Sequence, residues 1–384
     1  MFYTAAIVYR GDTLPGNRRR DVLSYNSLSF RRRKTMAFEF VPIQASEQQD
    51  LTEFLVKSFR AAPNLISFRP EVLHWKYFAE HPEWTDPRSL AIKEEGRIVA
   101  HAGIWPLKLV THNSELRAIH LIDWAANRAA IGAGAHLLKK VAGEADVLLA
   151  IGGSQDTRNL LPKLGYKRFG ELRRFSRVIR PWLQLRTTPH KDWKTPIKFL
   201  RNSALALLGI PPAPKGWSAS KLSSFVGAFG NWRNVANPTT SCTSSRRSAA
   251  ELDYLLSCPA AQFSGFQVSQ EGRVRGYFLL TQVGRQARIV DVQIDGEDRE
   301  SWKSICALAA RAAAEDQETC EIVAASSIPV SSEAWLQMGF ARRRIDPILC
   351  LDPRNLLTPS TRLNLHLTDN DFCILIEPST PYLS

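Results

Sequence analysis

None of the six cysteines forms a Cys-x-x-Cys pair, and no two histidines stand at the spacing of a zinc site. No metal centre is therefore expected. The thiols (Cys242, Cys258, Cys306, Cys320, Cys350 and Cys373) all lie in the second half. A disulfide framework does not suit a chain of 384 residues, so reduced thiols in a cytoplasmic protein are the expectation. No run reaches the ~18 apolar residues of a membrane span. The apolar piece Tyr3–Tyr9 comes before its arginine, the reverse of a signal peptide, whose charges come first. Acidic residues are in deficit, 37 against 50 basic, for a net charge of +13. No base-reading signature accompanies that charge, so DNA is not an expected partner. The charge suits a nucleotide cofactor, tRNA, a polyanionic glycan or a membrane surface.

What is present is ordinary for a soluble chain of two or three domains: 44% hydrophobic and 23% charged residues. Residues 1–35 hold eight basic and two acidic residues, +6 of the +13. They read as a basic disordered arm, or as an extension ahead of a start at Met36. Ser46–Phe59 has the helical spacing Leu51, Phe54, Leu55, Phe59, with Ser46 as its cap. Pro70 opens a second helix that carries Trp75 and Tyr77. A hairpin turns at Gly96, and strands over 107–112 and 116–124 follow.

The last of these strands leads into Ile131-Gly132-Ala133-Gly134-Ala135-His136, two glycines at the head of a helical pattern. Strand, glycine turn and helix in that order aim backbone N–H groups at a phosphate. A tight turn with no ligand is the other reading of the same residues. A buried strand at 145–151, a short helix from Asp156 to the cap at Gly165, and closing strands over 166–179 complete the half. Asp156 reads as that helix's N-cap.

Residues 183–250 read as a Pro- and Ser-rich linker, with an amphipathic helix at 197–209 suited to a membrane surface or to packing on its own domain. The plan then repeats. Glu271-Gly272-Arg273 matches Glu95-Gly96-Arg97, Asp291 matches Asp123, and Gly339-Phe340 matches Gly165-Tyr166. Gly96 to Gly165 spans 69 residues and Gly272 to Gly339 spans 67, which argues for duplication. The second copy, 251–353, has no G-x-G turn, and 354–384 is a tail. The tail piece Leu363–Asp371 alternates like an edge strand, with Asp369 and Asp371 at a solvated end.

A strand meander, a glycine turn into a helix, then strand, helix and an L-G-Y/F close resembles the plan of the GNAT acyltransferases. The resemblance covers 37–180, with 251–352 as a degenerate second copy, and the tandem arrangement is similar to the FemAB-like group. It implies a mixed, mainly antiparallel α/β fold with flanking helices and two tandem GNAT-like domains, the first being 36–182. It also implies acetyl-CoA or another acyl-CoA as co-substrate. The cofactor loop would comprise Trp124, Ala125, Arg128, Ile131, Gly132, Ala133, Gly134 and Ala135, with Asn159 as a further contact. The loop's usual Arg/Gln position is Ala129, and the position of the family's acidic tyrosine is Leu161.

Acyl transfer needs a polarised thioester carbonyl, a deprotonated nucleophile and close placement of the two. A backbone N–H near Trp124–Ala125 suits the first need whatever its side chain. Asp123 reads as base or turn residue, and His101 as base or satisfied core histidine. His120 is a further candidate, although strand parity puts it on the face opposite Asp123. The expected reaction moves an acyl group to an amine or hydroxyl of a small molecule or an envelope or exopolysaccharide precursor. A FemAB-like transferase fed by aminoacyl-tRNA and a non-catalytic acyl-CoA-binding protein are the alternatives. The expected location is the cytoplasm, or the inner face of the membrane.

Overall fold

The computed structural model describes residues 38–62, 64–189, 191, 193–229, 242–358, 360–375 and 381–384. The basic stretch 1–35 and Met36 lie outside them.

The first half opens with β1 (Glu39–Pro42) and α1 (Gln48–Phe59). Gln44 and Glu47 close a capping box one turn ahead of the helix, which displaces the expected cap at Ser46. Leu51, Leu55 and Phe59 of α1 are fully buried, each contributing about 1.5–3 kcal/mol. Pro70 starts α2 (Pro70–Tyr77). Strands β2 (Ser89–Glu94) and β3 (Arg97–Val110) join through Glu95 at φ 51° and Gly96 at φ 76°, a pair of positive φ angles that matches the twist of the flanking strands. Then come β4 (Glu115–Ala126), α3 (Ala133–Val141), β5 (Val147–Ile151), α4 (Gln155–Leu160) and β6 (Lys167–Val178).

The stretch expected as a linker holds α5 (Pro181–Thr187), α6 (Thr195–Leu207), β7 (Trp217–Leu222), α7 (Phe225–Phe229) and β8 (Cys242–Arg246). It is not a bare linker, because β7 pairs with the second half and β8 with β3. The second half runs α8 (Ala249–Leu256), β9 (Gln262–Gln270), β10 (Arg273–Val283), β11 (Gln286–Ile294), α9 (Arg299–Ala314), β12 (Glu321–Ser326), α10 (Pro329–Gln337), β13 (Ala341–Leu351) and β14 (Arg362–Asn364). Its hairpin turns on Glu271 at φ 51° and Gly272 at φ 81°, almost a copy of the first.

One mixed, mainly antiparallel sheet carries both halves in the order β1-β2-β3-β4-β5-β13-β6-β12-β11-β10-β9-β7. The halves are mirrored: β4 runs parallel to β5, and β11 parallel to β12. At the centre they exchange strands. Strand β13 lies between β5 and β6, and β6 lies between β13 and β12. Each half thus fills the gap in the other's sheet, so neither sheet closes alone. Helix α3 covers one face of the first half, with Leu137 and Leu138 on Ile119, Leu121 and Trp124. Helices α1 and α2 cover the other face, together with the tail.

The tail corrects its expectation. Only Arg362–Asn364 is strand, and residues 363–374 are buried between the halves. Asp369 and Asp371, expected in solvent, have no exposed surface. Trp105 Nε1 donates to Thr368 O at 2.8 Å, and Thr281 Oγ1 donates to Cys373 O at 3.0 Å, fixing the tail from both sides.

Candidate active site

Strand β4 pairs with β5 only from Ala118 to His120. Beyond His120 the two strands are no longer paired, although β4 runs on to Ala126 and β5 to Ile151. At the same level β4 bulges: Gly103 pairs with Ile122 but His101 pairs with Ala125, leaving two β4 residues against Ala102. Asp123 takes up the bulge at φ 46°, a region that aspartate tolerates better than most residues. The bulge disrupts the local ladder at Asp123–Trp124, beside the expected Trp124–Ala125 site.

The bulge also overturns the parity argument. Ala118 and Ile122 face the α1–α2 side, as does His120 by alternation, and Asp123 would face α3. The extra residue swings Asp123 back to the α2 side, where it meets Lys76 and Tyr77. Asp123 and His120 therefore share a face. Trp124 points to α3 instead, its Nε1 donating to Gly134 O at 3.3 Å.

Asp123 Oδ2 accepts from Lys76 Nζ at 2.5 Å and from the Tyr77 hydroxyl. Tyr77 reaches it because Gly103 has no side chain; a Cβ there would lie 2.7 Å from the phenol. His101 Nδ1 meets Asp123 O at 3.1 Å and its Nε2 meets Ser89 Oγ at 3.0 Å, so both ring nitrogens are engaged. His120 Nδ1 meets Leu149 O at 3.2 Å, and its Nε2 has no partner among the described residues. Burial pulls both imidazoles down to about 4, so both are neutral at pH 7.

The tail brings Asp371 to this cluster, its Oδ2 3.8 Å from Lys76 Nζ. Neither Asp371 oxygen accepts a hydrogen bond of good geometry among the described residues. Burial, against the pull of Lys76, pushes its carboxyl up to about 7. Burial opposes the charge on Asp123 as well, but Lys76 and Tyr77 outweigh it and hold that carboxyl below its ordinary value. Burial and Asp123 together keep the Tyr77 phenol protonated. The arrangement thus holds one fixed carboxylate, one ammonium and one carboxyl poised near neutrality. Neighbouring Phe372 comes within 3.3 Å of where a Cβ of Gly152 would stand, so the tail reaches from Lys76 and Asp123 to the end of β5.

On the other face, Gly132 caps α3 at φ 85°, with no atom within 4 Å of where a Cβ would stand. The N–H groups of Gly134 and Ala135 have no acceptor among the described residues. Arg128, Ile131, Gly132 and Ala135 are exposed along this turn, while Ala133 is buried. Gly134 has a different reason to be glycine: a Cβ would press on Ala126 at 3.1 Å, so it lets α3 lie close on β4. The turn fits a pyrophosphate through uncapped amides, a positive dipole end, open space and Arg128. Asn159 is exposed on α4 and accepts from Gln155 Nε2 at 2.9 Å. Ser154, not Asp156, caps α4, its Oγ accepting from Thr157 N at 3.2 Å. Leu161, at the expected tyrosine position, is core; nearby Tyr166 is a buried phenol whose hydroxyl has no partner among the described residues.

Lys76, Tyr77 and Asp371 escape a reading of the sequence for catalytic residues. The one signal is a lysine set inside Trp75-Lys76-Tyr77-Phe78, where burial of the helix must bury its charge.

No family model and no curated protein sequence matches the chain. Solved structures do. A GCN5-related N-acetyltransferase from Anabaena variabilis is 11% identical at a TM-score of 0.53, over 82% of this chain and 73% of that one. A tandem GNAT protein from the clavulanic acid biosynthesis pathway is 12% identical at 0.52, over 82% and 98%. Saccharomyces cerevisiae N-myristoyltransferase with bound myristoyl-CoA is 12% identical at 0.55, over 85% and 86%. The fold is that of the GCN5-related N-acetyltransferases, present in tandem.

Proposed function

We propose that this chain is an acyltransferase that moves an acyl group from acyl-CoA to an amine or hydroxyl. The observation that carries the reading is the uncapped N-terminus of α3, set beside a β4 that bulges at Asp123 and stops pairing with β5 after His120. In this reading the α3 turn takes the pyrophosphate and a backbone N–H at Trp124–Ala125 polarises the thioester carbonyl. Asp371 takes the proton of the nucleophile from the tail side as the new C–N or C–O bond forms; the C–S bond then breaks, CoA leaves as its thiolate, and the proton passes to it through solvent. Lys76 and Tyr77 fix Asp123 and with it the bulge. His101, both nitrogens engaged, holds the bulge in place. Acetyl-CoA is the first donor to try, and a small molecule or an envelope or exopolysaccharide precursor in the cytoplasm the first class of acceptor.

A non-catalytic acyl-CoA-binding role is the second reading, supported by the leucine at position 161. Calorimetry with acetyl-CoA, longer acyl-CoAs and charged tRNA tests both. Ala135→Glu puts a carboxylate at the start of α3, where it suits the helix dipole but repels a pyrophosphate. The expected result is acyl-CoA binding to the wild type, weakened about tenfold or more by this change with no loss of stability. No acyl-CoA binding at all, or binding of charged tRNA only, overturns the proposal. Tight binding without turnover of amines or hydroxyls moves the assignment to the second reading.

A further inference from the structure

Six of the twelve large apolar side chains exposed among the described residues fall between Trp182 and Leu208, each 58% to 88% exposed. They belong to the hairpin of α5 and α6. Its inner side is anchored. Trp182 and Phe199 meet with ring centres 6.2 Å apart, and Asn202 Nδ2 donates to Gln184 Oε1 at 3.1 Å. Arg177 of β6 donates to the carbonyls of Leu205, Gly209 and Met338, tying the end of α6 to the sheet. Gln184 Nε2 donates to Ser384 Oγ at 2.5 Å, tying α5 to the chain's last residue.

The outer side is ordered by kind. At about 100° per residue, Ile197, Leu200, Ala204, Leu207 and Leu208 fall within an arc of roughly 100°. Lys194, Arg201 and Lys198 fill the next arc, and exposed Trp193 stands just ahead of the helix. Over residues 181–216 the sequence has six basic residues and a single acidic one, Asp192. An apolar stripe bordered by a basic row, held rigid from behind, is the profile of a helix lying in a membrane interface. Leucine and isoleucine enter the acyl boundary, tryptophan sits at headgroup depth, and lysine reaches back to the phosphates.

We propose that the α5–α6 hairpin is a membrane-docking surface for a bilayer that carries anionic lipid. A second copy of the chain fits the face less well, since a two-fold contact through this stripe sets basic row against basic row. No helix among the described residues is long and apolar enough to cross a membrane, so the contact is peripheral. The proposal stands apart from the acyl-transfer reading, because no residue of the hairpin belongs to the candidate site.

The test is flotation of the full chain with vesicles of phosphatidylcholine alone and of phosphatidylcholine with phosphatidylglycerol. The wild type is expected to float with the anionic vesicles, and added salt to weaken it. The pair Ile197→Glu and Leu200→Glu should cut partitioning more than about tenfold while leaving the melting temperature unchanged, as both side chains are exposed. Lys194→Glu with Lys198→Glu should abolish the preference for anionic lipid. Val274→Glu, an exposed apolar residue elsewhere, should change nothing. Failure of the wild type to float with either vesicle overturns the proposal. So does a glutamate pair that floats as well as the wild type, or a wild-type dimer that the pair merely converts to monomer.

Discussion

Lys76 and Arg247 do the same job in the two halves, each standing between the carboxylate of a bulged strand and a carboxylate of the tail. Arg247 uses both prongs: Nη1 meets Asp291 Oδ2 at 2.7 Å and Nη2 meets Asp369 Oδ1 at 2.6 Å. Thr368 Oγ1 adds a bond to Asp291 at 2.8 Å, and Ser245 Oγ one to Asp369 at 2.9 Å. Lys76 is a point charge held close to Asp123, and it leaves Asp371 at 3.8 Å, buried and with no hydrogen-bond donor on either oxygen among the described residues. The planar fork bonds two carboxylates and the ammonium bonds one, although Asp291 Oδ1 has no hydrogen-bond partner among the described residues. The helix starts differ in the same sense. Helix α9 is capped by its own Asp298, whose Oδ1 takes Ser301 N at 2.8 Å, whereas α3 begins at an open Gly132. In both features the second half spends most of its polar groups on itself. The first half leaves more of them unpaired, which a site can use and a scaffold avoids.

The comparison breaks most visibly at Arg247. Arg247→Met leaves Asp291 and Asp369 buried without their cation, and denaturant unfolding should show a loss of about 3–5 kcal/mol. Asp371→Asn should leave the fold intact, since the carboxylate has little to lose, and should lower turnover about a hundredfold with the KM for acyl-CoA unchanged. Wild-type activity should rise with pH through about 7 as Asp371 ionises, and the variant should lose that limb.

Stability carries the same signature. Asp371 titrates near 7 in the fold against an ordinary 3.8, so the folded chain takes up its proton first. That contribution is fully present below about pH 4 and is lost as pH rises through about 7. Glu251, raised to about 7 by burial, acts with the same sign. Asp371→Asn should therefore remove one of the two contributions, and the fall in stability between those pH values becomes shallower. The smallest effect belongs to Asp298→Ala. It should cost about 1 kcal/mol of cap energy and create no second acyl-CoA site, so calorimetry should still count one ligand per chain.

Much of the fold is legible in the sequence because it rests on local chemistry. Glu95-Gly96 and Glu271-Gly272 write two hairpins of the same twist, and Gly165 and Gly339 end helices at nearly equal distances from them. The glycine turn at 132 is legible for the same reason. Two things are not. The bulge at Asp123 is one surplus residue in a continuous strand; alternation has no mark for it, and the faces of Asp123 and His120 come out wrong. The tail reads as a solvated edge because its aspartates are polar, and the cation that lets Asp369 be buried lies 122 residues away. Pairing across such distances leaves no trace in a local pattern.

The crossing of β13 into the first half also sets a schedule. Strand β5 has no neighbour on its outer side until residues 341–351 exist. At ordinary synthesis rates those residues emerge roughly 10–35 s after β6 does. For that interval the nascent chain carries an open apolar sheet edge, the kind that captures stray strands. Strand β13 is the clasp that ends that interval.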